Sequence, residues 1–239
     1  MPFARYGSET LWLAVSDNQI FNKAATAKPK KIRQVRAGLV QPQLSYQEIK
    51  LAARTELLNN ILEFNRRFVT NREYEQFETD RFPDKKVVVL TCMDTRLVEL
   101  LPRAMSLRNG DAKVIKSAGA VVSHPFGSIM RSILVAVYSL GVKEIMVVGH
   151  HDCGMAGLDC GQILEKAKSR GISQDTIDTL IHSGIDLEKW MTGFSRVDDG
   201  VNMSVNLIRR HPLLPRDVQV HGLLISPQTG ELELLSVPG

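Results

Sequence analysis

Two short apolar runs, each ending at a residue that can bind a metal ion, constrain the fold of this chain most strongly. The run 87–91 is rich in β-branched residues and precedes Cys92, and the run 145–149 precedes His150. Such runs are typical of strands buried in a parallel sheet. Ligands of open α/β sheets bind beyond the carboxyl ends of the strands. We therefore expect Cys92, His150 and the nearby Cys153 to meet where such folds carry their chemistry.

Beyond these runs the chain alternates predicted strands and helices, which is typical of an α/β domain. The pattern predicts a central, mostly parallel β-sheet with an antiparallel edge strand, flanked by helices and preceded by an N-terminal helical arm. The predicted strands lie at 86–91, 112–117 and 144–148, and a terminal hairpin at 217–226 and 231–235. The predicted helices lie at 97–105, at 127–140 before a capping Gly141, and at about 160–210 with breaks at Gly171, Gly184 and Gly200.

The first 53 residues differ from the rest of the chain in charge. They hold eight Lys/Arg and three Asp/Glu, a net of +5, whereas the whole chain carries +4. We interpret residues 1–53 as a basic extension, partly disordered or arm-like, and residues 54–239 as the main domain. An organelle transit peptide is the alternative reading of the extension. A capping pattern at 45–48 predicts a helix, or two broken helices, over about 45–70.

The composition indicates in which compartment the protein is located and which classes of partner it is not expected to bind. Three cysteines are too few for a disulfide framework and fit a reducing compartment, so we expect a cytoplasmic protein. No apolar run approaches the roughly 20 residues that span a bilayer, so no membrane association is expected. The basic cluster at 28–33 lacks the interleaved aromatic residues of a nucleic-acid surface, so no nucleic-acid partner is expected either.

The strongest chemical signal is a possible zinc site formed by Cys92, His150 and Cys153. Zinc accepts imidazole and thiolate ligands in tetrahedral geometry, and three protein ligands leave one position open for water or substrate. A His-x-x-Cys spacing occurs by chance. Its combination with a cysteine at the end of a neighbouring strand makes the prediction specific.

Two charged residues follow Cys92 on the same turn. Asp94 and Arg96 could pair, because the planar guanidinium fork holds a carboxylate in one orientation. Such a fixed carboxylate beside a metal site would accept hydrogen bonds without changing its position. The alternative is a surface ion pair near the start of a helix.

A third segment ends the predicted strand at 112–117. Ala118 and Gly119 could present backbone groups to a small substrate, or they could form a tight turn that needs glycine. His151 could carry protons or be merely polar. We expect Cys160 to be a buried thiol without a chemical role.

Three motifs together resemble the β-class carbonic anhydrases of the smaller prokaryotic branch. They are Cys92-Met93-Asp94-Thr95-Arg96, Ala118-Gly119 and His150-His151-Asp152-Cys153-Gly154. The resemblance implies a carbonate dehydratase that reversibly converts CO2 to bicarbonate and a proton by means of zinc-bound hydroxide. It also implies a homodimer or a dimer of dimers.

The resemblance further assigns roles to single residues. Cys92, His150 and Cys153 would bind zinc. Asp94 would accept a hydrogen bond from the zinc-bound water, or occupy the fourth zinc position in a closed state, and Arg96 would hold Asp94 away from the metal. Two alternatives stay open: hydrolysis of CS2 or COS on the same zinc site, and a zinc-binding dimer without catalysis.

Overall fold

The computed structural model of the protein describes residues 55–236. The predicted basic extension, its boundary at residues 53 and 54, and the predicted capping pattern at 45–48 lie outside the described residues. Within them, the first helix, α1 (Glu56–Thr70), begins after Thr55, whose hydroxyl oxygen accepts a hydrogen bond from the backbone N–H of Leu58. The chain divides into two units after Glu63, and the sheet, the remaining helices and the predicted site belong to the second.

The centre of this second unit is a five-stranded sheet of order β2-β1-β3-β4-β5. The first four strands are parallel and β5 runs antiparallel to β4, which confirms the predicted fold class. The strands are β1 (Val87–Cys92), β2 (Ala112–Ser117), β3 (Glu144–His150), β4 (Gln219–Ile225) and β5 (Leu232–Leu234).

Strands β1 and β3 extend further towards their carboxyl ends than the sequence predicted. Cys92 pairs with Ser117 of β2, and His150 pairs with Ile225 of β4. Because sheet pairing continues through both residues, each side chain leaves the last position of a rigid strand rather than a loop. The predicted limits of β2 agree with the structure.

The helices that follow α1 are α2 (Leu97–Ala104), α3 (Ser128–Leu140), α4 (Cys160–Ser169), α5 (Gln174–His182), α6 (Leu187–Met191) and α7 (Val197–Arg209). Gly141 ends α3 in the left-handed conformation, as predicted. Gly171 and Gly184 separate helices, also as predicted. The predicted break at Gly200 is wrong, because this glycine lies inside α7. A Cβ there would lie 2.4 Å from the Phe194 ring, so the glycine serves close packing and not a turn.

Strand β1, in the interior of the sheet, is buried on both faces, which explains why it is apolar at nearly every position. Val88 and Leu90 pack into the core that α3 and α7 cover, whereas Val87 and Val89 pack into the core on the side of α2. A separate small cluster joins α4, α5 and α6. No helix among residues 55–236 is long and apolar enough to cross a membrane.

Candidate metal centre

The fold brings the three predicted ligands together at the carboxyl edge of the sheet. Cys92 ends β1, His150 ends the neighbouring β3, and Cys153 follows after a turn. All three are buried, and their ligand atoms lie within 4.8 Å of one another. The two sulfur atoms are 3.9 Å apart. Two thiolates at about 2.3 Å from one tetrahedral zinc ion lie about 3.8 Å apart, so the observed spacing fits zinc.

His150 presents a free ring nitrogen to the same point. Its Nδ1 lies 2.8 Å from the carbonyl oxygen of His151, which fixes the ring orientation. Its Nε2 is buried and has no hydrogen-bond partner among the described residues. A buried polar atom without a partner is costly, and a metal ligated by Nε2 would remove that cost. The side chain of His151 is exposed, so its backbone oxygen is the part that contacts the site.

Cys92 lies in surroundings that favour the thiolate. Burial raises the pKa of its thiol, but contact with His150 and the backbone N–H of Gly119 outweigh burial and bring the pKa down to about 7. The Gly119 N–H donates to Cys92 Sγ at 3.4 Å. Because the thiolate is the metal-binding form of cysteine, this ligand is prepared for a metal near neutral pH.

Asp94 and Arg96 form the pair that the sequence suggested. The Arg96 Nε donates to Asp94 Oδ1 at 3.0 Å and its Nη2 donates to Oδ2 at 2.8 Å. The backbone N–H of Arg96 also donates to Oδ1, at 2.8 Å. The Arg96 guanidinium and this N–H hold the pKa of the Asp94 carboxyl well below its usual range. Asp94 is therefore a fixed hydrogen-bond acceptor.

The carboxylate lies next to the ligands and not on the open surface. Asp94 Oδ2 is 3.7 Å from His150 Nε2, and about four-fifths of the Asp94 side chain is buried. Arg96 reaches across to the loop of the third ligand, where its Nη2 donates to the carbonyl oxygen of Asp152 at 3.1 Å. The pair thus connects the turn after β1 with the turn after β3.

Of the remaining residues considered in the sequence, some lie at the site and others lie outside it. Ala118 and Gly119 lie in a short 3-10 turn after β2, and Gly119 has a φ of +70°. The turn brings the Gly119 N–H to a ligand sulfur, and contact of either residue with a substrate stays a prediction. Cys160 lies outside the site and is buried, as predicted.

Sequence reasoning missed the residues that pack behind the Gly119 turn. A Cβ on Gly119 would lie 2.7 Å from the Phe194 ring and 3.0 Å from Met155. Phe194 is placed by an isolated β-bridge with Ala156, in the loop that follows Cys153. The one sequence signal for the position of Phe194 is Gly200. The sequence predicts a helix break there, but the glycine instead leaves room for the Phe194 ring.

A family model, similar sequences and similar structures all relate this chain to carbonic anhydrases. The carbonic anhydrase family model matches residues 87–232, from the start of β1 to the start of β5. Two Bacillus subtilis proteins provisionally named as carbonic anhydrases are similar: YtiB is 59% identical over 179 residues and YvdA is 57% identical over 178 residues. The YtiB match covers 75% of this chain and 96% of YtiB, and the YvdA match covers 74% of this chain and 90% of YvdA.

A solved structure and a more distant relative extend the comparison. The β-carbonic anhydrase isoform I of Trichomonas vaginalis is 33% identical, with a TM-score of 0.69, over 76% of this chain and 97% of that chain. A carbon disulfide hydrolase of Acidianus sp. strain A1-3 is 30% identical over 161 residues, which is 62% of this chain and 76% of that protein.

Proposed function

Because the chain belongs to the β-class carbonic anhydrase family, we propose that it is a zinc-dependent carbonate dehydratase, which interconverts CO2 and water with bicarbonate and a proton. The observation that carries the proposal is the Asp94 carboxylate, held by three hydrogen bonds from Arg96 at 3.7 Å from the free His150 nitrogen. A purely structural zinc site has four closed protein ligands. It would not need a fixed acceptor beside its three ligands.

Cys92, His150 and Cys153 would hold the zinc ion. When bound, zinc supplies a Lewis acid that makes water nucleophilic near neutral pH. The protein itself fixes two of these donors, because the His151 carbonyl sets the tautomer of His150 and the Gly119 N–H stabilises the Cys92 thiolate. Both donors are thereby oriented before a metal arrives.

Asp94 would orient the attacking water. Its carboxylate stays ionised because its pKa is held far below neutral, so it only accepts hydrogen bonds and aligns the O–H of the nucleophile. A lone pair on the water oxygen then points at the carbon of CO2. Arg96 donates a hydrogen bond to each carboxylate oxygen and would thereby keep Asp94 from turning onto a bound metal.

The proposal includes a homodimer, or a dimer of dimers, located in the cytoplasm. Strand β2 lies at the edge of the sheet, and Val114 in it is half exposed. It borders a groove of about 480 Å³ that Val135 and Leu140 of α3 line together with the basic residues Lys113 and Arg131. An edge strand with unpaired backbone groups and an exposed apolar side chain favours pairing with a second copy. The three unpaired cysteines are consistent with the reducing cytoplasm.

Hydrolysis of CS2 is the second candidate, and the Acidianus relative is the observation that favours it. CS2 is also a linear molecule whose carbon is attacked by an activated water, so the same residues could serve. The proteins provisionally named as carbonic anhydrases are about twice as similar to this chain, at 57% and 59% against 30% identity. We therefore place CO2 hydration first.

Stopped-flow CO2 hydration on the purified protein tests the proposal, with bound zinc quantified on the same sample across about pH 6.5 to 9. We expect close to one zinc per chain and a rate that a chelator abolishes and added zinc restores. Full zinc occupancy with no hydration, but with sulfide release from CS2, would replace the proposal with the second candidate. Full occupancy with neither reaction would indicate a zinc-binding protein without catalysis.

A further inference from the structure

The residue before the third ligand adopts an unusual backbone conformation. Asp152 has a φ of +55°, in the left-handed region that L residues other than Asn and Asp rarely enter. This conformation aims its carbonyl oxygen at Arg96, whose Nη2 donates to it at 3.1 Å. The same carbonyl belongs to the peptide that links Asp152 to Cys153. The conformation of Asp152 therefore affects a ligand and the Asp94–Arg96 pair together.

The side chain of Asp152 is tied to a different part of the sheet. Its Oδ2 accepts a hydrogen bond from Gln228 Nε2 at 3.3 Å. Gln228 lies in the turn between β4 and β5, where its Oε1 accepts from the Ser226 hydroxyl, also at 3.3 Å. Nearby, the Ile225 carbonyl accepts from the backbone N–H of His151 at 3.1 Å. The terminal hairpin thus contacts the loop of the third ligand through both backbone and side chain.

We infer that Gln228 is a positioning residue for the Asp94–Arg96 pair. By binding the Asp152 carboxylate it holds Asp152 in the left-handed conformation, which keeps the Asp152 carbonyl on Arg96. Arg96 then has a fixed partner on each side: the Asp94 carboxylate and the Asp152 carbonyl. The catalytic consequence of this inference rests on the proposed hydration of CO2, but the geometric consequence does not.

The turn has enough bonds of its own to survive the loss of the Gln228 amide. The Gly230 N–H donates to the Ser226 carbonyl at 2.8 Å, and the Ser226 N–H donates to the Glu231 carbonyl at 2.9 Å. The Thr229 N–H donates to the Ser226 hydroxyl at 3.2 Å. None of these bonds uses the Gln228 side chain, so substitutions of it test positioning and not the formation of the hairpin.

Gln228→Leu removes the amide at similar size, and Gln228→Glu also places a carboxylate against Asp152. Gln219→Leu, at the exposed start of β4, is the matched control. We expect both Gln228 variants to bind zinc normally and to lose about three- to ten-fold in kcat, as fits the loss of one typical hydrogen bond at an exposed position. The control should match the wild type. An unchanged kcat in both Gln228 variants would overturn the catalytic part of the inference.

A double variant shows whether Gln228 acts through Arg96. If it does, adding Gln228→Leu to Arg96→Ala should reduce kcat no further, because the partner that it positions is already absent. A Gln228→Leu effect that multiplies fully with Arg96→Ala would overturn the inference in favour of a general structural role.

The absorption spectrum of the Co²⁺-substituted protein gives a readout that does not depend on hydration. The Co²⁺ bands report the geometry of the ligands, and Arg96→Ala should shift them by releasing Asp94. Gln228→Leu should shift them in the same direction but less, and Gln219→Leu should leave them unchanged. A Gln228→Leu spectrum identical to the wild type would overturn the geometric inference. If the wild type does not hydrate CO2, the proposed function fails, and the spectrum alone still decides this inference.

Discussion

Cys92 and Cys160 are both almost completely buried, with exposures of 5% and 1%, yet their thiols differ in chemistry. Cys92 accepts an N–H from Gly119 and contacts His150, and its pKa is lowered to about 7. Cys160 donates to the carbonyl of Leu187 at 3.4 Å. Burial, together with the nearby Glu188 carboxylate, raises its pKa. Burial alone disfavours a thiolate, and the polarity of the neighbouring groups decides whether it forms.

The same contrast separates the two regions around these cysteines. At the carboxyl edge of the sheet, the end of β3 and the turns after β2 and β3 bring an imidazole, a backbone N–H and a second thiol close to Cys92. In the cluster of α4, α5 and α6, Cys160 packs with Ile177 and Leu187 and lies between apolar groups and carbonyls. The first region offers three ligand atoms to a cation, whereas the thiol of Cys160 packs among apolar side chains beside a carboxylate.

The largest expected effect comes from replacing one cysteine in each region. Cys92→Ser should reduce bound zinc from near one per chain to a background level and abolish CO2 hydration, because a hydroxyl is a poor zinc ligand. Cys160→Ser should keep both zinc and activity and lose about 1–3 kcal/mol of unfolding free energy. Metal analysis, stopped-flow kinetics and chemical denaturation check this pair. Loss of zinc in Cys160→Ser would contradict the claim that only Cys92 of these two cysteines contributes to zinc binding.

Sequence reasoning placed the three candidate ligands together because Cys92 and His150 each end a short apolar run and Cys153 follows His150 by three residues. Such β-branched runs are typical of buried strands, and the carboxyl ends of parallel strands meet at one edge of the sheet. Asp94 and Arg96 were found because two residues of separation make their pairing a local event.

The missed features depend on contacts between distant segments. Phe194 reaches Gly119 only through its bridge to Ala156 and the space above Gly200. Asp152 meets Gln228 across 76 residues of sequence. No periodicity or motif connects such positions. In the sequence, a glycine that ends a helix cannot be distinguished from one that lies inside a helix and leaves room for an aromatic ring.

Arg96 and Arg196 offer a second matched pair. Arg196 binds Asp198 through Nε and Nη2 at 3.0 and 2.9 Å, with the two-residue separation and fork geometry of the Arg96–Asp94 pair, but neither residue belongs to the group that could hold a metal ion. Arg96→Ala should lower kcat by about 10²-fold with zinc retained, because a misplaced catalytic group costs about that much. Arg196→Ala should match the wild type. Equal rates in the two variants would remove the orienting role of Asp94.

Gly119 and Gly141 form the third pair, with φ values of +70° and +69°. Alanine at either position bears about 1–2 kcal/mol of left-handed strain. Only at Gly119 would the new Cβ also collide with the Phe194 ring, because nothing lies within 4 Å at Gly141. Gly119→Ala should therefore lose more unfolding free energy than Gly141→Ala and should bind zinc more weakly, since its N–H moves off Cys92. Denaturation curves and competition with a zinc chelator measure the two effects, and equal losses would contradict the packing argument.

The smallest expected effect concerns the difference between the Cys92 and Cys160 thiols. It is measured by titrating the thiolate absorbance of the zinc-free protein at about 240 nm. One thiol should ionise near pH 7, because donors outweigh burial at Cys92. Cys153 should ionise above its ordinary range, since burial and then the charge of the Cys92 thiolate 3.9 Å away both raise its pKa. Cys92→Ser should remove the step near pH 7, and Cys160→Ser should leave that step in place. If all three thiols ionise in one step above the ordinary cysteine pKa, the neighbours of Cys92 do not outweigh its burial. The two buried cysteines would then differ only in their distance from the metal.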